Sequence, residues 1–198
     1  SLVVPFLDDE ITYESLVRAV VDGYFYPILR GQITVDVESE GQRCSITKES
    51  LVNTALDIGG ADESTRLARV ALAEWAARQQ DADFVNLSPC SDHRAQWSNN
   101  LVPEHVVSQI RARLMSGNMI ALRSHLTVRR KGISDQPTHF DIFLWEQPNE
   151  TGRPIFIREG LTITDVRGAR ARGILSIVVV HDKPLATLLG DSENPAHT

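Results

Sequence analysis

Several things are scarce or missing in this chain. Two cysteines in 198 residues, Cys44 and Cys90, are too few for a disulfide framework. No apolar run approaches the roughly 20 residues that a membrane-spanning helix needs. No G-x-x-x-x-G-K-[ST] occurs, and no G-x-G-x-x-G follows a strand, so no phosphate-cradling loop is written into the sequence. Internal repeats and low-complexity tracts are missing as well. These absences exclude a disulfide-stapled secreted domain, a helical membrane protein, a P-loop nucleotidase and a solenoid. Two reduced thiols and no apolar span point to the cytoplasm.

What is present is the composition of a globular fold. Apolar residues make up 42% and charged residues 23%, enough to bury a core in one large domain or a domain with a small subdomain. The formal net charge is −6, unevenly divided. Residues 1–100 carry 8 basic and 16 acidic side chains, whereas residues 101–198 carry 12 and 10. An acidic total argues against a dedicated nucleic-acid binder, although a local basic face in the second half stays compatible with it.

The hydrophobic pattern predicts strand, helix, hairpin, two helices, loop, helix, meander, strand, helix. The opening "LVVPFL" reads as a buried strand. "DDEITYESLVRAVVDGYFYPILRG" reads as a helix capped by Asp9 or Thr12, with Leu16, Val17, Val20, Val21 and Tyr24 on one face and a weakening at Gly23 and Pro27. "QITVDVE" alternates, and "QRCSI" is its expected hairpin partner. A short helix capped by Thr47 stops at Gly59 and Gly60. The next helix should bury Leu67, Val70, Ala71 and Trp75. A polar loop near 88–102 is the best internal boundary. After the helix "VPEHVVSQIRARLMSG", three segments ("NMIALRSHLTVRR", "THFDIFLWEQP", "RPIFIREGLTI") read as an antiparallel meander. "GILSIVVVHD" reads as a central strand buried on both faces. The fold class expected is α+β, or mixed α/β, with helices packed on a largely antiparallel sheet.

Candidate chemistry is thin. Cys90, Asp92 and His93 lie close together, but zinc sites use ligands in two separated pairs, so a polar loop accounts for them better and no metal is expected. A Cys–His nucleophilic pair has no orienting third group. His125 and His139 are placed to face each other across the meander as a cross-strand pair. Asp141 and Glu146 differ by an odd number and point to opposite strand faces, which rules against an acid/base pair. "DIGGAD" closes a helix as a C-cap. A small hydrolase built from His and Asp residues has little support. The basic residues are more informative. Arg111, Arg113, Arg123, Arg129, Arg130 and Lys131 occur between Val106 and Ile133 with no acidic residue among them. Arg158, Arg167, Arg170 and Arg172 follow in a Gly-punctuated stretch where a functional loop commonly sits. Arginine is preferred for phosphate recognition. A solvated face is the plain alternative for both groups.

The stretch "LVVPFLDDEITYESLVRAVVDGYFYPILRGQITVDV" resembles the domain junction of GHKL-type ATPases, most closely the ninety-kilodalton heat-shock chaperones. In that family an apolar strand closes the ATPase domain, and acidic residues and a helix lead to a Tyr-Pro-Ile before an alternating strand. Leu2–Leu7, Asp8–Glu10, Tyr13–Tyr24, Tyr26-Pro27-Ile28, and Ile33, Val35 and Val37 match these parts in turn. The Gly-Thr pair that precedes the strand in the family is missing. The resemblance implies that residues 1–8 are the last strand of an upstream ATPase domain of the same chain, and that residues 9–198 are the middle, or transducer, domain. It implies a fold with a left-handed βαβ crossover, against the usual topology rule. ATP and Mg belong to the parent protein, and this segment would hold neither and be inactive alone. "PIFIREGLTI" resembles the segment that supplies an arginine to the ATP γ-phosphate, which implies that role for Arg158. Arg167, Arg170 and Arg172 become phosphate-sensing or partner-binding candidates. A homodimer fits the resemblance. Whether the client is protein or nucleic acid is open, and no membrane is implied. The alternative is an interaction or nucleic-acid-binding module that uses the basic 106–133 face without ATP.

Overall fold

The computed structural model describes residues 11–39, 41–88, 102–163, 166 and 170–192. The opening strand at Leu2–Leu7, nearly all of the polar 88–102 loop, and Arg167 lie outside these residues. The chain divides into two units, Ser1–Ala77 and Arg78–Thr198. Helices and a mixed sheet together make the fold α+β.

The described residues of the first unit form three helices and a hairpin. Helix α1 (Tyr13–Leu29) is capped as expected: the Ser15 backbone N–H donates to Thr12 Oγ1 at 3.2 Å. It does not weaken at Gly23 or stop at Pro27, but runs through both. An interior proline costs about 3 kcal/mol. Here the last turns bury Phe25, Tyr26, Pro27, Ile28 and Leu29, and that burial outweighs the lost hydrogen bond. The same burial turns Phe25 inward and leaves Tyr24 exposed. Strands β1 (Val35–Ser39) and β2 (Gln42–Ile46) form the expected hairpin, with Val37 opposite Cys44. Helices α2 (Leu51–Asp57) and α3 (Glu63–Ala76) follow. Thr47 Oγ1 accepts from the backbone N–H groups of Glu49 and Ser50, so it caps the turn before α2 while Ser50 stands at the N-cap itself.

Helix α3 is rotated from its expected face. Arg66, Ala68, Val70, Leu72, Ala73 and Ala76 are buried, while Leu67, Ala71 and Trp75 are only half-buried. The reason is Arg66, which is 3% exposed. Its Nε donates to Asp22 Oδ1 at 3.1 Å and its Nη1 to the Gly59 carbonyl at 3.1 Å. A charged side chain that is fully paired can occupy a core position, and hydrophobic periodicity does not see it.

The second unit is a six-stranded sheet in the order β3-β4-β5-β8-β6-β7. Its strands are β3 (Val85–Leu87), β4 (Ile120–Val128), β5 (Gln136–Glu146), β6 (Ile155–Arg158), β7 (Leu161–Ile163) and β8 (Ile174–Val180). β3 and β4 pair in parallel and are joined through helix α4 (Glu104–Met115), a βαβ crossover. β4–β5, β5–β8 and β6–β7 are antiparallel, and β6–β8 is parallel. The sheet is therefore more mixed than a meander. β8 inserts between β5 and β6, and "RPIFIREGLTI" folds into the β6–β7 hairpin instead of one long strand. The cause is β8 itself. Its Leu175, Ser176, Ile177, Val179 and Val180 are buried, which is satisfied in the sheet interior and not at an edge.

Helix α5 (Lys183–Ser192) packs Leu185 and Ala186 on Val128 and Val180, with Leu126, Phe140 and Leu188 around them. Helix α4 buries no residue and leaves Met115 76% exposed. No helix among the described residues is long and apolar enough to cross a membrane.

The connections entering β6 and β8 are zipped together. The Ala171 N–H donates to the Gly152 carbonyl at 3.1 Å, and the Gly173 N–H donates to the Glu150 carbonyl at 3.1 Å. Gly152 has φ +76°, and a Cβ there would collide with the Ala171 backbone. Gly117 has φ +74° but open space around it. Gly117→Ala is expected to cost about 1 kcal/mol, the left-handed backbone term alone. Gly152→Ala should cost at least about 3 kcal/mol, because the strand connections must also part. Urea denaturation of both variants checks this; equal losses would refute the zipped arrangement.

Candidate functional site

Arg158 closes β6. It pairs with Leu161 across a two-residue turn and with Val180 in β8. Both turn residues, Glu159 (φ 49°) and Gly160 (φ 88°), have positive φ, as a type I′ hairpin requires. Strand alternation puts the Arg158 side chain on the same sheet face as Phe156, two residues before it. Its guanidinium lies beside α5, where a Cβ on Gly190 would come within 3.9 Å of Cζ and Nη1.

The same side chain lines an apolar hollow of about 470 Å³. Strand alternation puts Phe140, Val178, Phe156 and Ile163 on the sheet face toward α5. The first half of α5 closes onto that face through Leu185 and Ala186. Leu189 and Ser192 of its second half line the hollow. Sequence reasoning did not find this feature. Each wall residue reads as ordinary core, and only the lie of α5 on the sheet reveals the gap.

Arg170 and Arg172 do not join Arg158. Both are exposed in the segment before Ile174, where β8 begins, whereas Arg158 pairs with Val180 at its other end. At about 3.3 Å per residue, seven residues of β8 separate them by roughly 20 Å. Arg167 lies outside the described residues.

The six basic residues between 106 and 133 are not one face. Arg111 and Arg113 are exposed on α4, and Lys131 is exposed in the β4–β5 turn. Arg129 Nε is paired with Asp135 at 3.0 Å, and Arg130 Nη1 with Asp191 of α5 at 2.9 Å. Arg123 is turned into the sheet. Its Nε and Nη2 donate to the two Asp141 oxygens at 2.7 and 3.0 Å, a bidentate fork across β4 and β5. Its Nη1 donates to Asp81 at 2.6 Å. Its Cζ sits 4.1 Å from the centroid of the Phe84 ring, and Phe84 in turn meets Phe143 edge-on at 5.8 Å.

The hydrogen bonds from Asp141, opposed in part by burial and aided by Asp81, push the Arg123 guanidinium well above its ordinary range. A cation with a raised folded-state value contributes fully below its unfolded value and loses that contribution only as pH rises through the folded one. The fork is therefore constant through neutral pH. Asp141 is the counter-ion of Arg123 across β4 and β5.

His125 and His139 do face each other across β4 and β5, with ring centroids 6.0 Å apart. His125 Nε2 is 2.9 Å from Asn86 Oδ1, and His139 Nδ1 is 3.3 Å from Asp182 Oδ2. Among the described residues no group of three or more His, Cys, Asp or Glu side chains could hold a metal ion. Through Asn86 and Asp182 the two rings link β4 and β5 to β3 and to the start of α5.

Arg123→Ala is expected to destabilise the protein by about 3 kcal/mol, because it leaves the Asp141 carboxylate buried without its partner. Asp141→Asn should cost a comparable amount, and Asp81→Ala, whose side chain is 92% exposed, under about 1 kcal/mol. Thermal melts of the three variants test the order; a loss at Asp81 as large as at Asp141 would contradict it. Compared with family models, with curated proteins and with solved structures, the chain matches none.

Proposed function

We propose that this chain is the middle, or transducer, segment of a GHKL-type ATPase. It reads the nucleotide state of an ATPase domain that precedes it in the parent chain, and it works in the cytoplasm. ATP and Mg are held by that domain, not by this segment. One observation carries the reading, the passage from α1 to β1. A helix capped at Thr12 buries Tyr26, Pro27 and Ile28 at its end and leads directly into an alternating strand. This is the order of parts at the family junction that residues 2–37 resemble. The continuation of α1 through Pro27 makes helix and Tyr-Pro-Ile one rigid piece, suited to passing on a displacement from a preceding domain.

In this reading Arg158 is the side chain lent to catalysis. A guanidinium offers a planar fork of donors and a permanent charge, which suits charge developing on a transferring γ-phosphoryl group. The type I′ turn after it supplies a fixed point of projection. The basic face of the alternative reading is weaker support for nucleic acid, since Arg123, Arg129 and Arg130 are engaged with carboxylates.

Calorimetry of this chain with Mg-ATP is expected to show no heat above dilution. Saturable micromolar binding would overturn the division of labour. In the parent protein, Arg158→Ala should lower turnover about a hundredfold with nucleotide affinity unchanged. Arg158→Lys should restore little, because one ammonium does not reproduce the fork. Wild-type turnover in Arg158→Ala removes Arg158 from the mechanism, and a parent protein that does not hydrolyse ATP sinks the whole reading.

A further inference from the structure

We infer that helix α5 is a detachable cover. It leaves the sheet as one unit while the strands stay paired, and it opens the face that carries Leu126, Val128, Phe140 and Val180. Its apolar hold is small. Of its ten residues Leu185 and Ala186 are buried, and Leu189 is 40% exposed. Its polar fit is incomplete. Thr138 is 4% exposed, and its hydroxyl is buried without a hydrogen-bond partner. Strand alternation puts Thr138 on the face of Phe140 and directly opposite Leu126, both of which pack against the α5 cluster. Arg130 Nη1 reaches Asp191 of α5 at 2.9 Å, but Nη2 of the same guanidinium is buried with no partner. A buried polar atom left unpaired costs about as much free energy as burying one aliphatic side chain gains. Docking of α5 therefore loses much of its apolar gain, and undocking lets water reach both atoms.

The helix is also weak by itself. Ten residues are too few for a stable isolated helix in water. Lys183 stands at its N-terminal end and Asp191 in its last turn, each the wrong sign for the helix dipole, and Gly190 weakens that turn further. Asp182, just before the helix, has the right sign, and His139 Nδ1 lies 3.3 Å from its Oδ2. The carboxylates of Asp182 and Asp191 are 37% and 63% exposed, and ion pairs at such positions contribute little. Undocking is therefore also a passage from helix to open chain. Helix α4 supplies the contrast. It buries no residue either, but it carries Glu104 in its first turn and Arg113 in its last, the signs that the dipole favours. Its own charges keep α4 helical, whereas those within α5 oppose its helix. A ligand or partner for the Leu126, Val128, Phe140 and Val180 face would have to displace α5, so the helix gates that surface. None of this rests on the ATPase reading, and the test below contains no nucleotide.

Native-state hydrogen exchange of the whole chain, followed by NMR in urea below the unfolding transition, tests this. The amides of Leu188, Leu189 and Gly190 should share one opening free energy. They should exchange at least about a hundredfold faster than those of Ile177 and Val179 in β8, with a weak urea dependence, as sub-global opening does. Thr138→Val keeps the shape without the hydroxyl and should slow the α5 amides about tenfold. Leu185→Ala removes the main anchor and should speed them about tenfold or more. Circular dichroism and the β8 amides identify a variant that has failed to fold, and the other then decides. Simple fraying gives a different pattern, with rates graded toward Ser192 and indifferent to Thr138, and that pattern would overturn the proposal. Protection of α5 equal to that of β8, or unchanged α5 rates in folded Thr138→Val, would overturn it too.

Discussion

The Arg123 guanidinium is held by three groups from two stretches of chain, and much of the second unit is arranged around it. Asp141 fixes it from β5, Asp81 reaches it from the short turn before β3, and the Phe84 ring lies beneath it. A guanidinium is suited to this because its donors are coplanar and its face can stack on an aromatic ring. The fork fixes the register of β4 against β5, where a one-residue slip would send every side chain to the wrong face. Phe84 carries the constraint on to Phe143, and β3 is held in its parallel place beside β4. Three residues of β3 pair too briefly to hold that place by backbone hydrogen bonds alone.

The first unit uses the same device with different geometry. Arg66 occupies a core position in α3, bonded to Asp22 of α1 and to the carbonyl of Gly59 after α2. One side chain thus ties three helices together. In both units an arginine is placed where an aliphatic residue would pack but would not specify which neighbours meet. Directional pairing selects one arrangement among several that hydrophobic burial alone would accept.

Much of the fold was legible in the sequence because local pattern and final burial agree. The Thr12 cap, the β1–β2 hairpin, the β4–β5 pair and the buried character of β8 all follow from spacing and composition. The departures share one origin, tertiary contact overriding local preference. Pro27 sits inside α1 because the turn around it is buried, and α3 is rotated because Arg66 is paired. The separation of β6 from β5 was not legible, since nothing in a strand's own residues names its neighbour. The candidate site was legible only as residue types. A run of basic residues carries no sign of which are engaged, and the partner of Arg123 lies eighteen positions away on another strand. The hollow beside α5 could not be read at all, because a cavity is a property of how elements lie and not of any one of them.

The insertion of β8 also bears on the order in which the chain can assemble. The nascent polypeptide produces β5, then the β6–β7 hairpin, and only afterwards the strand that joins them. Until Ile174–Val180 has emerged, β5 has an unpaired edge on one side, and the hairpin has no sheet to join. Translation therefore passes through a stage with two incomplete half-sheets, each presenting apolar residues and open backbone groups to other molecules. Closure of the sheet therefore waits for β8, the last of its strands to emerge. A stall or a stop codon shortly before Ile174 would leave the second unit without the strand that joins its two half-sheets, and that unit prone to aggregate.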